Sequence, residues 1–164
     1  MSLLKSGKLV PSLSSVGNKN FNLSIPNQCL AYQVAALLNY NNRLTVVHSW
    51  QSIITNLNQY FIEVTGQMMI GCVGLQIGTK MDKILHLSVN ISARHKGVGF
   101  RLLVTAVNNS NKDTIYMTIR EDNFISIALA AKLGFKIIAY KPKYNYNVLT
   151  LCLFRRKNVT ERAY

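Results

Sequence analysis

Ile84-Leu85-His86-Leu87-Ser88-Val89, then Arg94-His95-Lys96-Gly97-Val98-Gly99, then Phe100, Leu103, Val104 and Val107 at helical spacing: the fold of this 164-residue chain turns on this stretch. A strand runs through a glycine-bearing loop into an amphipathic helix. Such a junction aims several backbone N–H groups and the positive end of the helix dipole at one point, which suits a phosphate. Gly97 and Gly99 fit that purpose, because an approaching pyrophosphate leaves no room for Cβ atoms and the loop can require positive φ. Arg94, His95 and Lys96 add donors and charge beside it. The loop alone is also compatible with a solvated basic turn. A dinucleotide fingerprint would use Gly97-Val98-Gly99 with Glu121, but Leu102 stands where its third glycine belongs and too few strand–helix units follow. A Walker A loop is excluded, since no Gly-Lys-Ser/Thr occurs there.

Working outward, the residues before this stretch read as an antiparallel meander. Its strands are Tyr60 to Val64, Met69 to Ile77 and Ile84 to Val89, separated by Thr65-Gly66-Gln67 and by 78–83. Upstream, Leu30, Val34, Leu37 and Leu38 predict a helix over 27–39, and Ser49 is placed to cap a second over 49–57. Downstream come a strand over 114–119, a helix over 123–133 stopped by Gly134, and strands over 135–140 and 148–154 joined by the basic, Tyr-rich loop 141–147. The order predicts an α+β fold: a mixed, mostly antiparallel sheet with a central parallel pair, flanked by helices. Residues 1–25 read as an irregular arm, 26–155 as the folded domain and 156–164 as a polar tail.

Together these segments resemble the GNAT acetyltransferase superfamily. Arg94, Gly97 and Gly99 match the family's Arg/Gln-x-x-Gly-x-Gly/Ala in register, and Val89 stands where the preceding strand ends. Asn123 followed by Lys132-Leu133-Gly134-Phe135 is similar to the family's next block, and Gly71-Cys72-Val73-Gly74 to its meander. The resemblance covers roughly residues 28–154 and implies a splayed central pair, with acetyl-CoA as co-substrate lying in the gap. Carried over, Leu87, Ser88 and Val89 would hold the pantetheine amides. The N–H groups of His95, Lys96, Gly97, Val98 and Gly99 would hold the pyrophosphate, with Arg94 beside it and Asn123 on the cofactor arm. The implied reaction is direct attack by an amine of a protein, peptide or small molecule on the thioester.

Two residues depart from the pattern. Ala130 occupies the place where many members carry a tyrosine acid, and Ser126 replaces an alanine. A catalytically silent, acyl-CoA-binding domain is therefore an alternative. Tyr116, Tyr140 and Tyr144 are substitute acids, with Tyr140 the one carried forward. For the base, His86 and Glu63 are the candidates. Strand alternation puts His86 and Ser88 on one face and Leu85, Leu87 and Val89 on the other. Asp82 reads as a turn residue, and Glu121 and Asp122 as caps of the following helix.

The composition carries 19 Lys plus Arg against 6 Asp plus Glu, a net charge of +13. Such a field attracts anions, so a nucleic-acid-modifying or nucleic-acid-binding protein on the same fold is an alternative, through Lys141, Lys143, Tyr144, Tyr146 and Arg155-Arg156-Lys157, and an acidic protein is another partner the basic surface suits. The three cysteines have no metal-ligand spacing, no metal is expected, and all three read as buried inert thiols. The longest apolar run, Met68 to Ile77, is interrupted by Gly71 and Gly74 and falls short of a membrane span of roughly 20 residues. With no secretory signal at the start, a cytoplasmic protein is expected.

Overall fold

The computed structural model describes residues 25–41 and 46–155. The arm and tail expected at the two ends, Glu161 included, lie outside the described residues apart from Ile25. The elements are α1 (Asn27–Asn41), α2 (Trp50–Ile54), β1 (Tyr60–Thr65), β2 (Met68–Gln76), β3 (Asp82–Val89), α3 (Val98–Asn109), β4 (Thr114–Arg120), α4 (Phe124–Lys132), β5 (Lys136–Pro142) and β6 (Asn147–Phe154). One six-stranded sheet runs β1-β2-β3-β4-β6-β5. All its pairs are antiparallel except β3 with β4. The α+β sheet with a central parallel pair is therefore as expected.

The two connections β3-α3-β4 and β4-α4-β5 both cross on the same side of the sheet, as right-handed crossovers must. The main core is there: Val73, Leu75 and Ile84 meet Val98, Leu102 and Leu103 of α3, and Ala130 of α4. A second core lies on the opposite side, where Ala31, Val34, Leu37 and Leu38 of α1 and Ile53 of α2 cover Met69 and Cys72 of β2. Ser49 caps α2 by accepting from Ser52 N–H, as the sequence suggested.

Several local expectations are corrected. Asp82 is not an exposed turn residue; it opens β3 at 1% exposure. Its two carboxylate oxygens accept from Gly78 N–H at 3.0 Å and Ser110 Oγ–H at 2.6 Å, so one side chain closes the β2–β3 turn and ties it to the end of α3. Helix α4 is capped by Asn123, which accepts from Ser126 N–H. Asp122 instead accepts twice from Arg120, and Glu121 accepts from Asn147 Nδ2–H at 2.6 Å. Cys72 and Cys152 are buried, but Cys29 is exposed. The connection 141–147 is shorter than read, since β5 continues to Pro142.

Leu85 also changes face. Strand β3 carries one residue more than β2 between the pairs Gly74↔Leu85 and Cys72↔Ser88, so His86 and Leu87 together oppose Val73. Such a bulge shifts the alternation by one. Ile84, Leu87 and Val89 consequently pack with the α3 core, whereas Leu85 lies opposite Gly74, on the α1 side of the sheet.

Removing the Asp82 carboxylate leaves a buried hydroxyl and an amide N–H without their acceptor. Asp82→Ala should lower stability by about 3 kcal/mol in urea denaturation, and Ser110→Ala by less, about 1 kcal/mol. Equal small losses would show that the two donors find other partners.

Candidate active site

The site is organised by where the parallel pair ends. β3 and β4 are in register at Asp82↔Ile115, Lys83↔Tyr116 and Ile84↔Met117 and are not paired beyond that, although β3 continues to Val89 and β4 to Arg120. The expected splay is present. On the edge away from β2, the backbone of residues 85–89 therefore meets a gap rather than a neighbouring strand, and the Val89 carbonyl is already taken by Asn41 and Arg94.

At the top of the gap, β3 passes through a tight turn, Ile91–Ala93, into α3. His95 and Gly97 both hold positive φ, 62° and 77°. Gly97 occupies the cap position of α3 with no side chain capping it, and the first turn of α3 contains no acidic residue. The first N–H groups of a helix lack internal acceptors, so an uncapped, basic N-terminus fits an anion. The residues present thus fit a pyrophosphate-bearing group. Gly99 has a different reason from the one expected: a Cβ there would sit 3.3 Å from Leu129 of α4 and 3.5 Å from Val89, so its bareness lets α3, α4 and β3 close together.

Arg94 is turned away from the loop. Its guanidinium donates to Asn41 Oδ1 at 2.7 Å and to the Val89 carbonyl at 3.3 Å. Asn41 in turn donates to Ser88 Oγ at 2.6 Å and to the same carbonyl at 3.2 Å. This knot fastens the C-terminus of α1 to the end of β3. Arg101 serves the loop instead, donating to the Lys96 carbonyl at 2.9 Å while pairing with Glu63. Gly71 faces α3, since a Cβ there would meet Leu102 and Val98, and Glu63 is its cross-strand partner. Glu63 is therefore on the α3 side.

His86 is on the other side, at the bulge. It adopts φ 58°, a left-handed conformation that a residue with a Cβ rarely takes and that is characteristic of functional positions. Its Nδ1 lies 2.6 Å from the Tyr60 hydroxyl, and its ring meets that of His48 edge-on, with centroids 4.7 Å apart. His48 is fixed by Asn39, which accepts from its backbone N–H and donates to its carbonyl. Burial first, then the His48 and Lys83 charges, pull the His86 imidazole down to about 4, so it is neutral at pH 7. Burial raises the Tyr60 phenol and lifts the buried Cys72 thiol to about 12.

The three catalytic candidates are thus not brought together. Tyr140, on edge strand β5, is three strand spacings from β3, about 14 Å. It pairs with Leu149, whose side chain faces the α4 core, and is 57% exposed. Its phenol is raised by desolvation and by the charge and hydrogen bond of Glu121; at that exposure Glu121 is the cause with weight. Ala130 is at 0% exposure, inside the core. Asn123 spends its side-chain oxygen on Ser126 N–H, leaving its amide NH₂ for other contacts. Tyr60, His48, Asn41 and Arg101 were missed by sequence reasoning. Each acts through strand register or a loop contact, and only Arg101, one turn after Gly97, had a spacing that could have revealed it. Among the described residues no group of three His, Cys, Asp or Glu could hold a metal, and no helix is long and apolar enough to cross a membrane.

Comparison with known proteins agrees with this geometry. Residues 32–135 match the model of the acetyltransferase (GNAT) family. The fold is similar to the ribosomal-protein-S18-alanine N-acetyltransferase of Escherichia coli, with TM-score 0.68 and 16% identity over 82% of this chain and 92% of that one. It is similar to a chain of the NatC complex bound to Gag peptide and CoA, with TM-score 0.68 and 18% identity over 84% and 97% of the two chains. A third likeness is yncA of Salmonella typhimurium with acetyl-CoA, with TM-score 0.66 and 13% identity over 84% and 93%. In sequence, an uncharacterized protein of Mycobacterium leprae is 36% identical over 58 residues, 35% of this chain and 16% of that protein. The chain matches only that small part of its relative's length.

Gly97→Ala should cost about 1–2 kcal/mol in urea denaturation, the penalty of left-handed backbone for a residue with a Cβ. Gly97→Glu should in addition abolish acetyl-CoA binding in calorimetry; unchanged affinity would move the anion site elsewhere. A second expectation concerns pH. Folded His86 resists protonation down to about pH 4, whereas an unfolded histidine protonates near 6.5, so within that window the unfolded chain binds more protons. The stability contribution of neutral His86 is therefore complete above pH about 6.5 and is lost as the pH falls toward about 4. Urea titrations across that window should show His86→Gln with a flatter loss than the parent; identical slopes would mean that the imidazole titrates normally.

Proposed function

Because this chain belongs to the GNAT acetyltransferase family, matched over residues 32–135, we propose that it transfers the acetyl group of acetyl-CoA to an amine by direct attack. The observation that carries the reading is the coincidence of three features at one place: unpaired β3 backbone beyond Ile84, the uncapped N-terminus of α3, and neutral His86 at the bulge between them. CoA-bearing neighbours of the same fold support acetyl-CoA as the donor.

Bound acetyl-CoA would supply an acyl thioester; the chain supplies position and proton traffic. Backbone groups of Leu87, Ser88 and Val89 would hold the pantetheine amides as a neighbouring strand would. The N–H groups of residues 95–99 would hold the pyrophosphate, with His95 and Lys96 adding charge and Arg101 bracing the loop. Arg94 would contribute by fixing the end of β3 to α1. The amide of Asn123 would meet the cofactor arm.

His86 would receive the amine's proton as the nitrogen–carbon bond forms. In the tautomer this requires, Nδ1–H donates to the Tyr60 oxygen and Nε2 carries the lone pair. A depressed pKa keeps that lone pair free at pH 7 and lets the proton leave quickly for water. Glu63 is assigned to the loop through Arg101 rather than to proton transfer, and Tyr140 is too far from His86 to share a proton with it. The thiolate, with a pKa of roughly 8.5, would leave without a tyrosine from α4 and take its proton from solvent.

His86→Gln should lower kcat about 100-fold with acetyl-CoA affinity unchanged, and Tyr60→Phe should lower kcat less while sparing that affinity. Coupled thiol release with a panel of amines measures the first, calorimetry the second. Full turnover by the His86 variant would place the proton acceptor elsewhere.

A further inference from the structure

We propose that the acceptor is a peptide amino terminus followed within its first few residues by acidic side chains, lying beside His86 across the face of β4, β6 and β5 opposite the α3/α4 core, a face that no described helix covers. This deepens the reading above and rests on it.

The face is defined by register. Ile115, Met117 and Ile119 of β4, and Leu149, Leu151 and Leu153 of β6, point into the α3/α4 core. Their sequence neighbours therefore point to the side that His86 occupies. Directly paired residues share a face. One row across the sheet is Lys83↔Tyr116↔Cys152↔Lys136, and another is Arg120↔Val148↔Lys141. Thr118 and Thr150 lie between them. The cluster beneath α1 and α2 draws on β1 and β2 and includes no residue of β4, β5 or β6. Thr118, Lys136 and Lys141 are exposed. Cys152 is buried in the first of these rows, where β3 and β4 are still paired, so the accessible part of this floor is the hydroxyl of Thr118 with the ammonium groups of Lys136 and Lys141.

The placement of the carboxylates gives that floor its sign. Of the 6 in the chain, Glu161 lies outside the described residues, and none of the others is available on the floor. Glu63 is on the α3 side with Arg101. Asp82 is buried with Ser110 and Gly78. Asp113 precedes β4, about 10 Å along the strand from the Lys83–Tyr116 row and about 20 Å from the level of His86, and by alternation from Ile115 it falls on the α3 side. Asp122 is neutralised by Arg120, which also stacks on Tyr146. Glu121 is turned toward Asn147 and toward Tyr140 on the α4 side. Lys83, Lys136 and Lys141 are in no ion pair among the described residues. A polyamine or a lysine-rich chain would meet only cations there, whereas an amine trailed by carboxylates would meet its complement.

The span selects a peptide over a small amine. From β3 to Lys141 on β5 is at least three strand spacings, about 14 Å or more because β3 and β4 have parted at that level, which an extended peptide covers in about four or five residues at ~3.3 Å each. An amine of a few atoms cannot touch both ends. Nucleic acid is the weaker fit: with Arg120 committed to Asp122, three spaced lysines offer few phosphate contacts and a shallow salt dependence.

The test uses the full chain with acetyl-CoA and two peptides that share the first two residues and differ at positions 3–5, acidic in one and lysine in the other. The acidic peptide should show kcat/KM at least about tenfold higher at low salt, a preference that falls as salt rises. The K83E/K141E variant should invert the preference while binding acetyl-CoA as the parent does in calorimetry. Equal or reversed preference in the parent overturns the inference, as does displacement of the acidic peptide by a single-stranded RNA oligonucleotide that binds more tightly. Acetyl-CoA binding without acetylation of either peptide overturns it and leaves the donor site standing. Failure to bind acetyl-CoA removes the acyltransfer reading itself.

Discussion

A parallel strand pair that stops early is the constraint on which this molecule is built. β3 and β4 share only three registered positions before they part. Within a sheet, unpaired backbone donors and acceptors are costly unless something else satisfies them. The bulge in β3 falls where the two strands part, and an extra residue of this kind bends the strand that carries it. His86 takes the left-handed conformation this requires. The helix that follows begins without a side-chain cap. Unused hydrogen-bonding capacity is thus collected along one line, from strand edge to helix end, and the two cores on either side of the sheet hold it open.

Most of the scaffold was legible because it is written in periodicity and punctuation. The helical spacing of Leu30, Val34 and Leu37, the cap at Ser49, the stop at Gly134 and the strand–loop–helix around Gly97 all encode local geometry, and local geometry is what a single sequence expresses. The glycine-bearing loop between β3 and α3 was legible for the same reason. What escaped depends on register. One inserted residue between Leu85 and Ser88 moved Leu85 across the sheet, and no spacing in β3 announces it. Tyr60 reaches His86 only because two hairpins align them. Asp82 followed a turn-like run and looked exposed, yet the 3.0 and 2.6 Å bonds to Gly78 and Ser110 bury it. Arg94 matched the motif in type, but its partners, Asn41 and Val89, belong to other elements.

The two faces of the sheet divide the labour of the charged residues. On the side of α3 the ion pair of Glu63 with Arg101 is structural: it braces the loop at Lys96 and keeps a carboxylate away from the place where an anion fits. On the opposite side the polar groups are neutral or cationic, and burial holds His86 and Tyr60 in their uncharged forms. Among the described residues each acid has a partner in the fold, so the positive charge there is distributed unevenly rather than spread over the surface.

The cysteines have a practical consequence. Cys72 lies under the His86 carbonyl with its thiol raised to about 12, and Cys152 is buried in β6, while Cys29 stands exposed in the first turns of α1 beside Gln33. Thiol chemistry proceeds through the accessible thiolate. Among the three, a maleimide therefore finds one site without any cysteine having to be removed. A fluorophore or spin label placed there would ride on the same helix whose other end is fastened to β3 by Asn41, giving an optical or magnetic reporter of the gap from a position outside it.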